Sequence, residues 1–165
     1  MTKIGFIGAG TTGTALAVRL SQKGSPVVAV SSRSLSSAQR LSELVSGCRA
    51  YPTAQGVVDA ADLVFITTPD DAIVKVANEV QWHDGQGVLH CSGAHSVDIL
   101  ETAKQFGASV GSFHPLQTFA GVSQAIENLP GSTFALEAEE PLLSKLKDLA
   151  SVLNGDWVEL GPGDK

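Results

Sequence analysis

Apolar runs of strand length alternate with segments of helical periodicity along the whole chain. The runs predict strands at Lys3–Ile7, Pro26–Val30, Arg49–Tyr51, Asp62–Thr67, Gly87–His90, Ala108–Phe113, Thr133–Leu136 and Trp157–Leu160. Helices are predicted at Thr12–Gln22, Ser37–Val45, Ala54–Ala60, Asp71–Val80, Ser96–Lys104 and Pro141–Asn154. Strands that are apolar throughout and alternate with helices are typical of a parallel sheet covered on both faces. We therefore predict one α/β domain with a doubly wound, mostly parallel sheet.

Composition narrows the class of protein without naming it. The chain has 165 residues, 43% of them hydrophobic and 17% charged, and a formal net charge of -6. This balance predicts a globular domain and offers no basic surface for nucleic acid or for an anionic membrane. The two cysteines, Cys48 and Cys91, are far apart, which favours a reducing compartment, and we expect a cytoplasmic protein. The scattered histidines predict no metal site.

A glycine-rich turn lies between the first predicted strand and the first predicted helix. It matches the pattern GxGxxG, and its residues are Gly8, Ala9, Gly10, Thr11, Thr12 and Gly13. In this context the first glycine permits the tight turn, the second admits a pyrophosphate, and the third allows close packing of helix and sheet. The helix N-terminus would then present free N–H groups to the phosphates. The turn predicts a Rossmann fold that binds a dinucleotide.

The end of the second strand bears on which dinucleotide binds. Domains specific for NAD place an acidic residue there to bind the ribose 2′-hydroxyl. This chain has no acid at that point and instead carries Ser31, Ser32, Arg33 and Ser34. An arginine flanked by hydroxyl groups suits a 2′-phosphate, so NADP(H) is favoured over NAD(H). The alternative is that Arg33 is a solvated loop residue and that the serines only cap the next helix.

A third polar segment follows the fourth predicted strand. Thr67, Thr68 and Pro69 stand where a cofactor groove would pass, and we predict that they line it. Asp70 is predicted to cap the following helix, which is a structural role.

Four segments together resemble a known family. They are Gly8–Gly13, Thr67–Asp71, His90–Ala94 and Phe113–Phe119. They are similar to Rossmann-type oxidoreductases with a C-terminal domain of unknown function, within the 6-phosphogluconate dehydrogenase-like superfamily that includes pyrroline-5-carboxylate reductase and prephenate dehydrogenase. The resemblance implies that residues 1–160 are the cofactor domain and that 161–165 form a hinge toward an absent helical domain. That domain would make most of a homodimer and close the active site.

Ser92 and His114 are the candidate catalytic residues. Each is predicted to lie just beyond the C-terminal end of a strand, where open α/β sheets bind ligands. Similarity to prephenate dehydrogenases implies that His114 is the acid/base and that Ser92 orients the substrate by hydrogen bonding. The alternatives are a loop histidine that fixes a turn before Pro115 and a serine that serves the turn beside Gly93. His90 is predicted to be a core histidine, and Cys91 a small buried residue.

The sequence therefore predicts the NADP(H)-binding domain of an oxidoreductase. Such an enzyme transfers hydride between nicotinamide and a small organic substrate. The alternatives are an NADP-binding or sensing module without catalysis, and a nucleotide or sugar-phosphate binding protein that uses the same loop. The residues do not identify the substrate.

Overall fold

The apolar run at the N-terminus forms an interior strand of the sheet. The computed structural model of the chain describes residues 1–161 and 164–165. In it β1 (Ile4–Ile7) is buried along its whole length and pairs in parallel with β2 (Val27–Ser31) and β4 (Leu63–Ile66). A strand paired on both edges and covered on both faces has no solvent side. This is why its residues do not alternate between apolar and polar.

The described part of the chain contains one eight-stranded sheet in the order β3-β2-β1-β4-β5-β6-β7-β8. The other strands are β3 (Arg49–Ala50), β5 (Gly87–His90), β6 (Ser109–Pro115), β7 (Thr133–Ala138) and β8 (Asp156–Glu159). The first six strands are parallel, β7 is antiparallel to β6, and β8 is parallel to β7. The doubly wound, mostly parallel sheet is confirmed.

Helices cover both faces of this sheet. They are α1 (Thr11–Gln22), α2 (Leu35–Leu44), α3 (Ala54–Ala60), α4 (Ile73–Glu79), α5 (Glu101–Gln105), α6 (Val122–Asn128) and α7 (Leu142–Val152). One core contains buried residues of α1, α2, α6 and α7, and the other contains those of α3, α4 and α5. Phe113 packs between Phe65 and Phe134, with ring centroids 5.9 Å and 4.5 Å away, which links β4, β6 and β7 in the first core. Apolar burial on both faces fixes the side of the sheet to which each strand residue points.

Three helical segments differ from the sequence prediction. The helix predicted over Asp71–Val80 begins with a 3₁₀ turn at Asp70–Ala72, and α4 follows it. The helix predicted over Ser96–Lys104 is a 3₁₀ turn at Val97–Leu100 followed by α5, because the Ser96 hydroxyl accepts the backbone N–H of Asp98 and starts a tighter turn. Helix α6 was not predicted. It has seven residues and buries Ala125 fully, so its sequence carries too little helical periodicity to be detected.

No helix in the described ranges has the length and apolar character needed to cross a membrane. The same residues contain no group of three or more His, Cys, Asp or Glu side chains arranged to hold a metal ion.

Candidate functional site

The predicted site segments meet at one edge of the sheet. Parallel pairing brings the carboxyl ends of β2, β1, β4, β5 and β6 into one row, in that order. The Gly8–Gly13 turn follows β1, Ser32–Ser34 follow β2, and Thr67–Pro69 follow β4. Ser92 follows β5. Ligands of open α/β sheets bind along this carboxyl edge.

The three glycines of the turn have different surroundings. Gly8 has φ +111°, a conformation that disfavours other residues, and a β-carbon there would lie 2.7 Å from the backbone of Thr67 and Thr68. A β-carbon on Gly13 would lie 2.8 Å from the Gly8 carbonyl oxygen and even closer to Thr67 Oγ1. Beside Gly10 there is nothing within 4 Å of the same position. Two glycines thus close the turn against the sheet, and the middle one faces open space.

The first turn of α1 faces the same open space. Gly10 is the N-cap residue, no side chain caps the helix, and the helix begins with three polar or small residues, Thr11, Thr12 and Gly13. The leading N–H groups of a helix have no partner within it, and the helix dipole adds partial positive charge there. This end of α1 suits the two phosphates of a dinucleotide.

Two buried hydroxyl groups beside the turn have no hydrogen-bond partner among the described residues. They are Oγ of Ser31, at the end of β2, and Oγ1 of Thr68, after β4. A buried polar atom without a partner costs free energy unless a ligand or water satisfies it. The neighbouring Thr67 is satisfied internally, since its hydroxyl donates to the Gly8 carbonyl over 2.8 Å. The unpartnered hydroxyls and the open space at Gly10 fit a bound dinucleotide.

The segment after β2 leaves Arg33 free to reach a ligand. Ser34 is the N-cap of α2, and its hydroxyl accepts the backbone N–H of Ser37 over 3.4 Å. Ser34 therefore has the capping role that the sequence left open. Arg33 is exposed, and Ser32 is half-buried between it and the buried Ser31.

Hydrogen bonds to His90 fix the loop that contains Ser92, which follows β5. The backbone N–H of Ser92 donates to Nδ1 of the buried His90 over 3.0 Å, and His90 Nε2 lies 3.0 Å from the Ser96 carbonyl. Because a carbonyl only accepts, the proton of His90 is on Nε2 and the ring is neutral. Burial lowers the pKa of His90 to about 4, and the bond to the Ser96 carbonyl opposes this in part. The prediction that His90 is a core histidine is confirmed.

The side chain of Ser92 joins two loops. Its hydroxyl donates to Asp70 Oδ2 over 2.9 Å and accepts the backbone N–H of Ala94 over 3.1 Å. The prediction that Asp70 caps the following helix is wrong. Pro69 is the N-cap of the 3₁₀ turn Asp70–Ala72, and the Asp70 carboxylate bonds to Ser92 instead. A sequence-local capping rule cannot detect a partner 22 residues away.

His114 lies within β6, not in a loop beyond it. The strand continues to Pro115 because β7 pairs with its last residues, and His114 is opposite Ala135. His114 Nδ1 is 3.0 Å from the Cys91 carbonyl, so Nδ1 carries the proton of the neutral ring. The lone pair is then on Nε2, which forms no hydrogen bond with the described residues. The structure therefore brings His114 against the Ser92 loop with a proton-accepting nitrogen free.

Lys165 is a site residue that the sequence prediction missed. Its ammonium donates to the Ser92 carbonyl over 2.9 Å and to the hydroxyl of the buried Ser112. Burial lowers the pKa of Lys165, while the Glu137 carboxylate opposes this. A lysine at the end of a predicted hinge carries no sequence signal for this contact. The Pro162 and Gly163 positions of that hinge lie outside the described residues.

Cys91, between His90 and Ser92, is a half-buried free cysteine. Burial raises the pKa of its thiol to about 12, so the thiol stays protonated. Its backbone carbonyl, which accepts His114 Nδ1, is the part of Cys91 that serves the site.

The family model of Rossmann-like domains matches residues 1–115, so the chain belongs to the Rossmann-like domain family. Among solved structures, it is similar over 96% of its length to a Bacteroides fragilis protein provisionally assigned as an NADP oxidoreductase, with TM-score 0.80 and 25% identity. The chain covers 60% of that protein.

Two further structures share the fold at lower identity. Synechocystis arogenate dehydrogenase has TM-score 0.79 and 23% identity, over 98% of this chain and 60% of its own. A reductive aminase from Aspergillus terreus, solved with NADPH, has TM-score 0.79 and 20% identity, over 99% and 56%. The chain thus spans less than two thirds of these proteins. Structural similarity to an oxidoreductase is confirmed by the Bacteroides fragilis protein, and the two structures below 25% identity show the shared fold.

A curated relative is isoleucine–tRNA ligase 1 of Pseudomonas fluorescens, 28% identical over 121 residues. The match covers 67% of this chain but only 13% of that protein. The comparisons as a whole support a dinucleotide-binding module of the oxidoreductase type.

Proposed function

We propose that this chain binds NADP(H) and forms the cofactor domain of an oxidoreductase that acts on a small organic substrate. The observation that carries the proposal is the difference among the three glycines of the turn. Gly8 and Gly13 are packed against Thr67, whereas Gly10 opens onto free space at the first turn of α1. A turn that served only to connect β1 to α1 would not need this space, but a diphosphate does.

The adenosine end would lie over the segment after β2. The Ser31 hydroxyl would gain a partner from the ribose, and Arg33 would pair with a 2′-phosphate. The segment Ser31–Ser34 holds no carboxylate that would repel this phosphate. A charge-assisted hydrogen bond of this kind contributes roughly 1.5–3 kcal/mol, which favours NADP(H) over NAD(H).

The nicotinamide end would lie toward Ser92 and His114, because the strand ends run in the order β2, β1, β4, β5, β6. Between these two ends, the buried hydroxyl of Thr68 would form a hydrogen bond with the cofactor. The nicotinamide, when bound, accepts or donates the hydride. Everything else that the reaction needs must come from side chains at this end of the edge.

His114 would take the hydroxyl proton from an alcohol substrate, or return it to the oxygen in the reverse direction. Its free lone pair on Nε2 is the acceptor, and the Cys91 carbonyl keeps the other proton on Nδ1. Ser92 has one remaining lone pair after its bonds to Asp70 and Ala94, so it would orient the substrate by accepting from a second donor group, because the reacting hydroxyl gives its one proton to His114. Lys165 would add positive charge beside an oxygen that becomes negative.

The proposal is tested by adding NADPH to the ¹⁵N-labelled chain and recording amide chemical shifts. We expect changes at Gly10, Thr11 and Thr12, after β2 at Arg33, and after β4 at Thr68. Adenosine 2′,5′-bisphosphate should reproduce the changes at Arg33 and, through its 5′-phosphate, part of those at Gly10, Thr11 and Thr12, whereas ribose 5-phosphate should not reproduce the full pattern. Changes confined to another surface, or a full pattern with ribose 5-phosphate, would contradict the proposal.

A further inference from the structure

The ring of His114 lies against Gly93, a residue to which nothing above assigns a role. A β-carbon on Gly93 would be 2.5 Å from Nε2 of His114, 2.8 Å from Cε1 and 3.0 Å from Cδ2. Nε2 is bonded to both carbons. If the β-carbon lay in the ring plane beyond Nε2, the two carbons would be much farther from it than Nε2 is. Because all three distances are similar, the β-carbon position lies over the face of the ring, above Nε2. Gly93 therefore covers one face of the imidazole and leaves the in-plane lone pair of Nε2 open.

The backbone of Gly93 does not itself require glycine. Its φ lies outside the left-handed region, in contrast to that of Gly8, so an L residue could adopt the same backbone. Gly93 is also exposed, and no helix or strand contains it. The three heavy atoms that a β-carbon on Gly93 would meet first all belong to the ring of His114.

Neither the loop that contains Gly93 nor the ring of His114 can move away without breaking hydrogen bonds. Three hydrogen bonds of Ser92 hold the loop: its N–H donates to His90, its hydroxyl donates to Asp70, and the same hydroxyl accepts the backbone N–H of Ala94. His114 is held in β6 by pairing with β7, and its ring is held by the Cys91 carbonyl. A methyl group on Gly93 would therefore turn the ring and break the Nδ1 hydrogen bond, which removes the preference for a proton on Nδ1.

We propose that Gly93 is a positioning residue that keeps the imidazole of His114 in the orientation and tautomer in which Nε2 accepts a proton. The catalytic meaning of this orientation rests on the proposed function. The geometric relationship does not, so the two can fail separately.

The test compares Gly93→Ala with Gly121→Ala, a control whose β-carbon would meet nothing within 4 Å. Long-range ¹H–¹⁵N spectra of the imidazoles report which nitrogen of His114 carries the proton. We expect Nδ1 to carry it in the unmodified chain and in Gly121→Ala, and we expect displaced signals and mixed tautomers in Gly93→Ala. Unchanged His114 signals in Gly93→Ala would overturn the proposal.

A double-mutant cycle covers the case in which Gly93→Ala folds poorly. Overpacking should raise the unfolding equilibrium constant about tenfold or more when His114 is present. In a His114→Ala background the clash is gone, so Gly93→Ala should raise the unfolding equilibrium constant by less than about twofold. An equal cost in both backgrounds, or failure of the double variant to fold when His114→Ala folds, would overturn the proposal. NADPH affinity is measured in parallel. If neither the unmodified chain nor any variant binds NADPH, the proposed function fails and the positioning result stands.

Discussion

The hydroxyl of Ser92 donates a 2.9 Å hydrogen bond to Oδ2 of Asp70, which ties the loop after β5 to the turn after β4. One loop belongs to the candidate catalytic group and the other to the candidate cofactor groove. The bond also sets the hydrogen-bonding character of Ser92. Its proton is directed at a carboxylate, so only an acceptor lone pair remains for another molecule.

Replacing Asp70 should destabilise the fold, whereas replacing its neighbour should not. Asp70→Ala leaves the buried Ser92 hydroxyl without its acceptor and should cost about 1–3 kcal/mol, the desolvation penalty of a buried donor that has lost its partner. Asp71→Ala is the matched control, because Asp71 is exposed and lies in the same 3₁₀ turn. Urea unfolding of both variants measures the difference. Equal free energies of unfolding for the two variants would mean that the hydrogen bond between Ser92 and Asp70 does not stabilise the fold in solution.

Arg33 should decide cofactor preference. We expect the unmodified chain to bind NADPH roughly ten- to a hundredfold more tightly than NADH, as a bond of 1.5–3 kcal/mol implies. Arg33→Ala should remove most of that ratio through weaker NADPH binding, with NADH affinity unchanged. Arg40→Ala is the control for general electrostatics, because it removes the same charge from α2 and Arg40 already bonds to Ser37. A ratio near one in the unmodified chain would refute the assignment of Arg33.

Stability should fall below neutral pH through His90. Its pKa is about 4 in the folded chain and 6.5 in the unfolded one, so between these values the unfolded state binds more protons. The contribution of His90 is thus complete above pH 6.5 and is lost toward pH 4, by at most about 1.4 kcal/mol per pH unit. Protonation of Nδ1 would also break the bond from the Ser92 N–H.

Urea unfolding between pH 7.5 and pH 4.5 measures this loss. His90→Gln should reduce the slope of unfolding free energy against pH. His83→Gln is the matched control, because it replaces an exposed histidine. Equal slopes in the two variants would show that His90 is not held neutral by burial.

Sequence patterns predicted the parts of this molecule that depend on local residues. The apolar run of β1 and the spacing of Gly8, Gly10 and Gly13 identified the first strand, the turn and the start of α1, because each depends on neighbours in the chain. The same reasoning placed Ser92 at the end of β5.

The interactions that complete the site were not predictable in this way. Asp70 and Ser92 meet only because β4 and β5 are neighbours in the sheet, and Lys165 reaches Ser112 across 53 residues. His114 was placed beyond its strand because nothing local to it reveals that β7 pairs with the end of β6. Contacts between sequence-distant residues depend on the register of the whole sheet, which no single segment contains.

The central claim, that a dinucleotide phosphate occupies the space beside Gly10, is tested most directly by calorimetric titration of NADPH into the unmodified chain and Gly10→Ala. A methyl group on Gly10 meets no protein atom within 4 Å, so the variant should unfold at the same urea concentration as the unmodified chain. The methyl would nevertheless stand where the diphosphate approaches the backbone, so NADPH affinity should fall at least about tenfold. Gly121→Ala should leave both properties unchanged. NADPH binding by Gly10→Ala with undiminished affinity, or no binding by the unmodified chain, would contradict the account.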